Sequence, residues 1–253
     1  MPEIRQDPAT KEWVIIATDR AKRPEDFART EKKKKLPRHS SRCPFCPGNE
    51  SKTPGEIYSN RDGNGNWTLR VVPNKFPALV SDGSPLREEK LDFFRRVSGI
   101  GDHEVIIESP YHNDSFGEID DDKAFEIVAA YHLRYRELSR DKRLKLVKIF
   151  RNHGVEAGTS LEHPHSQIVA TPVVPLHIRH QLEEATRFYD NHGECVFCRL
   201  IDMELKVKSR VVTKEHGFLV IEPFASRMPF ETWVIPLEHH ATFGEIDAME
   251  LKG

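Results

Sequence analysis

Two histidines separated by a single proline, His163-Pro164-His165, lie in the run of this 253-residue chain richest in side chains that could do chemistry, Asn152-His-Gly-Val-Glu-Ala-Gly-Thr-Ser160-Leu-Glu-His163-Pro-His165-Ser166-Gln167-Ile168. In an extended segment, residues two apart point to the same side. One imidazole can then ligate a metal while the other faces a substrate. A neutral imidazole is a competent nucleophile toward a phosphoanhydride, and dividing a nucleotidyl transfer into two displacements is the logic of covalent catalysis. Gly154 and Gly158 let backbone amides approach an anion closely, and Ser160 and Ser166 add hydroxyl donors. The plainer reading of the same run is a buried loop with hydrogen-bonded histidines.

The four cysteines form two CxxC pairs, Cys43-Pro-Phe-Cys46 and Cys195-Val-Phe-Cys198, in a chain with thirteen histidines. Thiolates and imidazoles suit tetrahedral zinc, and a CxxC knuckle followed by distant histidines can complete a closed structural site. A thioredoxin-like redox pair is the competing reading; two pairs, each followed by histidines, favour zinc.

Such groups act only if a scaffold holds them, and 253 residues suffice for one large domain or two modest ones with a substantial core. The chain is 38% hydrophobic and 31% charged, with no apolar run near the ~20 residues of a membrane-spanning helix. A soluble globular protein is expected. The N-terminal MPEIRQDPATKEW has neither the apolar stretch nor the cleavage pattern of a secretory signal, so the cytoplasm is the expected compartment. Thirty-eight basic against forty acidic residues leave a net charge of −2. The global positive field that nucleic-acid binding exploits is missing, and phosphate binding must be local.

Strands are expected at 13–20, 67–76, 103–109, 144–150, 166–173, 218–221 and 231–236, with the turn Asp62-Gly-Asn-Gly65 closing a hairpin. Asp120 to Arg140 reads as a helix, with aspartates at its start and Phe125, Val128, Tyr131, Tyr135 and Leu138 at three- and four-residue spacing. A second helix is expected from His177 to Tyr189. The class is α+β with mostly antiparallel strands.

An internal repeat organises these elements. Ser109-Pro-Tyr-His112-Asn-Asp-Ser-Phe116-Gly-Glu-Ile-Asp120 matches Pro236-Leu-Glu-His239-His-Ala-Thr-Phe243-Gly-Glu-Ile-Asp247 in register, each copy preceded by a strand and, further upstream, by a CxxC pair. The spacing from second cysteine to histidine is 66 residues in one copy and 41 in the other, a difference in loop length within a shared order. This pattern is expected of a tandem duplication. His163 follows His112 by 51 residues, and the same interval from His239 runs beyond Gly253, so the second copy is expected to be incomplete.

The run Asn152 to Ile168, with His-Pro-His-Ser-Gln, resembles the active-site signature of the galactose-1-phosphate uridylyltransferase family, in the nucleotidyltransferase branch of the histidine-triad superfamily. Arg20-Ala-Lys-Arg23-Pro24, Cys43-Pro-Phe-Cys46, Val72-Pro-Asn74-Lys-Phe76-Pro and Ser109-Pro-Tyr-His112 resemble that family's motifs in the same order, so the resemblance spans essentially the whole chain. It implies two tandem histidine-triad-like units: an N-terminal one over 1–175 with the catalytic motif and a zinc site, and a partial C-terminal one over 176–253. It further implies His165 as the nucleotidylated nucleophile and Gln167 as the donor to the transferred phosphoryl group. Arg20 and Arg23 would meet substrate phosphates, while Asn74, Asn152 and Ser160 would hold the nucleotide and its phosphates; Ser166, read above as a hydroxyl donor, is counted with these substrate-binding residues. Cys43, Cys46, His112 and His163 would complete one Zn2+ site; Cys195, Cys198 and His239 would form a second that lacks a ligand, for which His240 is a substitute. Histidine-triad hydrolases carry a third histidine where this chain has Gln167, which favours transfer over hydrolysis.

The expected activity is therefore a ping-pong exchange between a nucleoside-diphosphate sugar and a sugar 1-phosphate, in a homodimer. Uridylyl transfer from UDP-glucose to galactose 1-phosphate is the first reading. The Ser166 variant of the motif, together with two CxxC pairs, also resembles the plant adenylyltransferase that exchanges ADP-glucose with phosphate. A zinc-knuckle module that binds nucleic acid or protein is the alternative from another class, and the slight acidic balance argues against it.

Overall fold

In the computed structural model, which describes residues 1–17 and 35–253, the chain opens with an antiparallel hairpin of β1 (Glu3–Gln6) and β2 (Trp13–Ile16). The strand expected at 13–20 thus begins as read but ends at Ile16, and residues 18–20 lie outside the described ones. By packing, the chain groups into two compact units, Lys34–Val174, and Met1–Lys33 together with Pro175–Gly253.

The first unit is built on a five-stranded antiparallel sheet. It comprises β3 (Tyr58–Arg61), β4 (Trp67–Pro73), β7 (Asp102–Ile107), β8 (Leu146–Phe150) and β9 (His165–Thr171), in spatial order β3-β4-β7-β9-β8. A separate ribbon of β5 (Arg87–Lys90) and β6 (Phe94–Val97) lies between β4 and β7 in sequence. The hairpin turn forms as its composition dictates: the Asp62 carboxylate accepts the Asn64 and Asn66 amides, both at 2.9 Å, and Gly65 adopts φ +82°. At the start of β7, Gly101 has φ +144°, and a Cβ there would stand 2.1 Å from the Ala170 carbonyl oxygen of β9. Only glycine lets β7 and β9 pair at that end.

Alternation gives the sheet two chemically different faces. On one, Leu69, Val71, Ile106, Ile168 and Ala170 pack against α1 (Asp121–Leu138). On the other, Val72, Val105 and Ile107 pack with Trp67, Phe45 and the first cysteine pair. Thr68 is an extra residue in β4: Asn60 pairs with Leu69 and Arg61 with Trp67, so Trp67 and Leu69 serve opposite cores. The Thr68 hydroxyl bonds Glu126 of α1.

Helix α1 starts as expected, with the Asp120 carboxylate accepting the Lys123 amide at 2.8 Å. Its buried stripe overlaps the expected one only in part. Ile127, Ala130, Arg134 and Leu138 are buried and Tyr131 packs against the same core, whereas Phe125, Val128 and Tyr135 are half-buried. The stripe includes a charge: Arg134 makes two bonds, 2.8 and 2.6 Å, to the buried Glu104 carboxylate. A charged pair in the core is invisible to a search for apolar periodicity.

The second unit contains α2 (Leu176–His192), α3 (Val196–Val207), a three-stranded antiparallel sheet of β10 (Val211–Glu215), β11 (Phe218–Ile221) and β12 (Trp233–Pro236), and α4 (Ala248–Lys252). Leu200, Ile201, Leu219 and Ile221 form its core. The β1–β2 hairpin joins this unit through Arg5 on the Phe224 carbonyl and His180 on the Thr10 carbonyl, each at 3.0 Å. Neither α3 nor β10 is among the expected elements; the β10–β11 turn, His216-Gly217 with φ +50° and +83°, is a two-residue hairpin. The order β10-β11-β12 matches the first three strands of the larger sheet, β3-β4-β7, in sequence order and antiparallel sense. Asp247 caps α4 as Asp120 caps α1, accepting the Met249 and Glu250 amides at 2.7 and 2.9 Å. Among the described residues, no helix is long and apolar enough to cross a membrane.

Candidate active site and metal centre

His165 begins β9, and strand alternation sets His165 and Gln167 on the face away from α1. His165 Nδ1 lies 2.8 Å from the carbonyl oxygen of His163. A carbonyl can only accept, so Nδ1 carries the proton and Nε2 the lone pair. The Phe45 ring stands edge-on to the imidazole with centroids 5.2 Å apart.

The ring of His163 has the complementary arrangement. Its Nε2–H donates to the Ser109 carbonyl at 2.8 Å, which leaves Nδ1 unprotonated and 3.6 Å from Cys46 Sγ. His112 Nδ1 lies 3.6 Å from the same sulfur. Cys43, Cys46, His112 and His163 are all buried, and their ligand atoms lie within 4.8 Å of one another, so the four are placed to hold a metal ion. Two sulfurs and two imidazole nitrogens, with no carboxylate among them, make a donor set compatible with zinc. Burial drives the His163 pKa down to about 4, so its imidazole is neutral, the ligating form. Burial raises the Cys43 thiol, and a cation would supply the charge that holds it as thiolate.

In the other unit Cys195 precedes α3 and Cys198 lies in its first turn. With His239 they form a three-donor group within 4.8 Å, Cys198 Sγ standing 3.1 Å from His239 Nδ1. His240, the expected substitute ligand, turns instead to Glu250 at 2.9 Å. Hydrogen bonding to that carboxylate raises its pKa.

Asn74 and Gln167 are brought together, Asn74 Nδ2 lying 3.5 Å from Gln167 Oε1. Between them stands His103 of β7, with Nε2 2.8 Å from that same oxygen, a residue that sequence reading assigns only to a strand. Its pairing with Gln167 is diagonal across β7 and β9 and becomes legible only once the register is known. Asn152 and Ser160 are exposed on the loop between β8 and β9, where Gly154 and Gly158 have φ +83° and +79°. Arg20 and Arg23 lie outside the described residues.

Ser166, expected near the substrate, lies on the α1 face of β9 and is buried. Its hydroxyl bonds the buried Glu108 carboxylate and stands 2.5 Å from the Tyr131 hydroxyl. Arg151 closes the network, its Nε 2.9 and 3.1 Å from the two Glu108 oxygens. Burial, reinforced by the Glu108 charge, raises the Tyr131 pKa, so the phenol stays protonated. Ser166→Ala is therefore expected to lower unfolding free energy by about 1.5–3 kcal/mol, the worth of a bond to a charged group, and to leave KM for the nucleotide donor unchanged. Denaturant melts and initial rates would check it; a raised KM at unaltered stability would put Ser166 on the substrate after all.

The chain is similar in sequence and fold to proteins already known. The chain is 36% identical to ADP-glucose phosphorylase of Arabidopsis thaliana, covering all of this chain and 71% of that protein. It is 30% identical to galactose-1-phosphate uridylyltransferase of Thermotoga maritima, covering all of this chain and 72% of that one. Among solved structures, the Arabidopsis thaliana ADP-glucose phosphorylase with bound ADP-glucose superposes with a TM-score of 0.80 at 32% identity, covering 100% of this chain and 73% of that chain. Residues 1–175 match the family described as galactose-1-phosphate uridyl transferase, N-terminal domain, and the chain belongs to the galactose-1-phosphate uridylyltransferase family.

Proposed function

We propose that this protein transfers a nucleotidyl group through a covalent intermediate on His165. The observation that carries the reading is the His163 carbonyl on His165 Nδ1, which leaves Nε2 as the nucleophilic nitrogen. In the first displacement the Nε2 lone pair attacks the α-phosphorus of a nucleoside-diphosphate hexose. The P–O bond to the sugar phosphate breaks, and the sugar 1-phosphate leaves with the bonding electrons. In the second, a phosphate oxygen of the acceptor attacks the same phosphorus, the P–N bond breaks, and the lone pair returns to Nε2. The Gln167 amide donates to a non-bridging oxygen, where charge builds in both transition states. Asn74, Asn152, Ser160, Arg20 and Arg23 bind and orient the donor in this reading. Cys43, Cys46, His112 and His163 would hold zinc, which when bound supplies a closed structural anchor for the segment beside β9.

For the donor we propose ADP-glucose, with phosphate as acceptor. This reverses the order of the two readings made from sequence. It is supported by the 36% identity to the Arabidopsis ADP-glucose phosphorylase, against 30% to the Thermotoga uridylyltransferase. The second reading, uridylyl transfer to galactose 1-phosphate, is supported by the 30% identity to the Thermotoga uridylyltransferase. A homodimer, a second zinc on Cys195, Cys198 and His239, and the 1–175 and 176–253 division into repeated units belong to the same proposal. The test is intact-protein mass after brief exposure to equimolar ADP-glucose and UDP-glucose. An adenylyl adduct is expected. A uridylyl adduct would establish the second reading, and no adduct with either donor would overturn both.

A further inference from the structure

We infer that His103 is a positioning residue that locks the Gln167 carboxamide with its NH2 group toward the transferred phosphoryl, an inference that rests on the proposed role of Gln167. A glutamine amide can sit two ways round, and only one presents a donor to an oxyanion. The backbone amide of Ala78 donates to His103 Nδ1 at 3.1 Å. His103 is thereby the Nε2–H tautomer, and that proton points at Gln167 Oε1, 2.8 Å away. A second, weaker constraint acts in the same direction. The Phe76 amide donates to Asn74 Oδ1 at 2.9 Å, which turns Asn74 Nδ2 toward Gln167 Oε1 at 3.5 Å; Nδ2 also stands 3.1 Å from His103 Nε2, which already carries its proton and cannot accept from it. Reversing the Gln167 amide would set its NH2 against two donors at once. The segment just after β4, through the Phe76 and Ala78 amides, thus reads out through two side chains onto one oxygen, and the Gln167 NH2 is left for substrate.

Gly101 strengthens the case by fixing where His103 stands. Its contact with the Ala170 carbonyl region holds the start of β7 against β9, two residues before His103. The backbone carbonyl of His103 also accepts the Asn74 amide at 2.8 Å, so main chain and side chain join the same pair of segments.

The test compares His103→Gln with His103→Asn in the full, metal-loaded chain. The two variants have the same functional group, but the longer side chain can carry its NH2 to the place of Nε2 and the shorter cannot. Adduct formation is followed in a single turnover by quenched intact-mass analysis at saturating donor. The Asn variant is expected to slow it by about 10- to 100-fold, the usual cost of losing an orienting partner behind a reacting group, with the half-saturating donor concentration unchanged. The Gln variant is expected to restore the rate. Combined with Gln167→Ala, the Asn variant should add no further slowing, because the group it positions is gone.

Equal rates in the two variants, or losses that multiply in the double variant, would overturn the role of His103. Metal content and unfolding midpoint report whether each variant is folded, and a Gln variant that is folded and slow overturns it too. If the wild type itself forms no adduct, the nucleotidyl-transfer reading fails and takes this one with it. An adduct in the wild type together with an equally fast Asn variant removes His103 alone.

Discussion

His165→Asn is expected to abolish the covalent adduct and to lower turnover on the order of 10⁶-fold, as removal of a catalytic nucleophile does elsewhere. That factor corresponds to about 8 kcal/mol of transition-state stabilisation. Asparagine suits the experiment because its amide can still donate to the His163 carbonyl, the one hydrogen bond His165 makes through Nδ1. The fold beside the metal group is then left in place, while the nitrogen at the Nε2 position is gone. Intact mass before and after exposure to donor should be identical, with metal content equal to wild type. A variant that still carried nucleotide would move the nucleophile to another residue and take the mechanism with it.

The second large effect concerns the metal group. Cys46 is 1% exposed, and its sulfur also accepts the Ser40 amide at 3.3 Å. Cys46→Ser replaces a thiolate by a hydroxyl that binds zinc poorly, and it should release the ion along with the order of the segment around Cys43 and Cys46. Structural zinc contributes on the order of 10 kcal/mol in peptides with no other core. Here the sheet and α1 keep their own core, so about half of that is expected. At roughly 2–4 °C per kcal/mol the unfolding midpoint should fall by ~10–20 °C. Adduct formation should fall with it, since the carbonyl that sets the His165 tautomer belongs to His163, a member of the group placed to hold the metal. Elemental analysis and calorimetry read the two halves separately. A Cys46→Ser protein with full metal content and an unshifted midpoint would remove the metal assignment.

Spacing singled out His163 and His165, but only His165 lies in β9, where alternation is a strict geometric rule; His163 stands in the bend before it, among the metal-binding group. The same rule places Ser166 on the reverse face, buried and away from the anion that its hydroxyl, read together with Gly154, Gly158 and Ser160, was expected to meet. Helix α1 is legible from its aspartates and apolar spacing, yet its buried face includes the Arg134–Glu104 pair, which hydrophobic patterning does not register. His103 lay beyond reach for a different reason. Its meaning comes from a partner 64 residues away on another strand, and nothing local to its strand points there. The repeated Phe-Gly-Glu-Ile-Asp shows the opposite case: a short motif whose final aspartate caps a helix in both copies, so that local sequence and local structure agree.

The extra residue in β4 has a consequence for insertions and deletions. Losing one residue from the middle of a paired strand ordinarily turns every side chain beyond it to the wrong face. Thr68 is the exception, because the ladder already skips it: with Thr68 absent, Trp67 and Leu69 would be adjacent and would still face the two cores they face now. Deleting Thr68 should therefore cost only its bonds to Glu126 and Lys123, about 1–2 kcal/mol in denaturant melts. Deleting Arg70, two positions on, should leave no folded protein. A strand that carries both the metal side and the helix side of the sheet thus has a single position at which its length is negotiable.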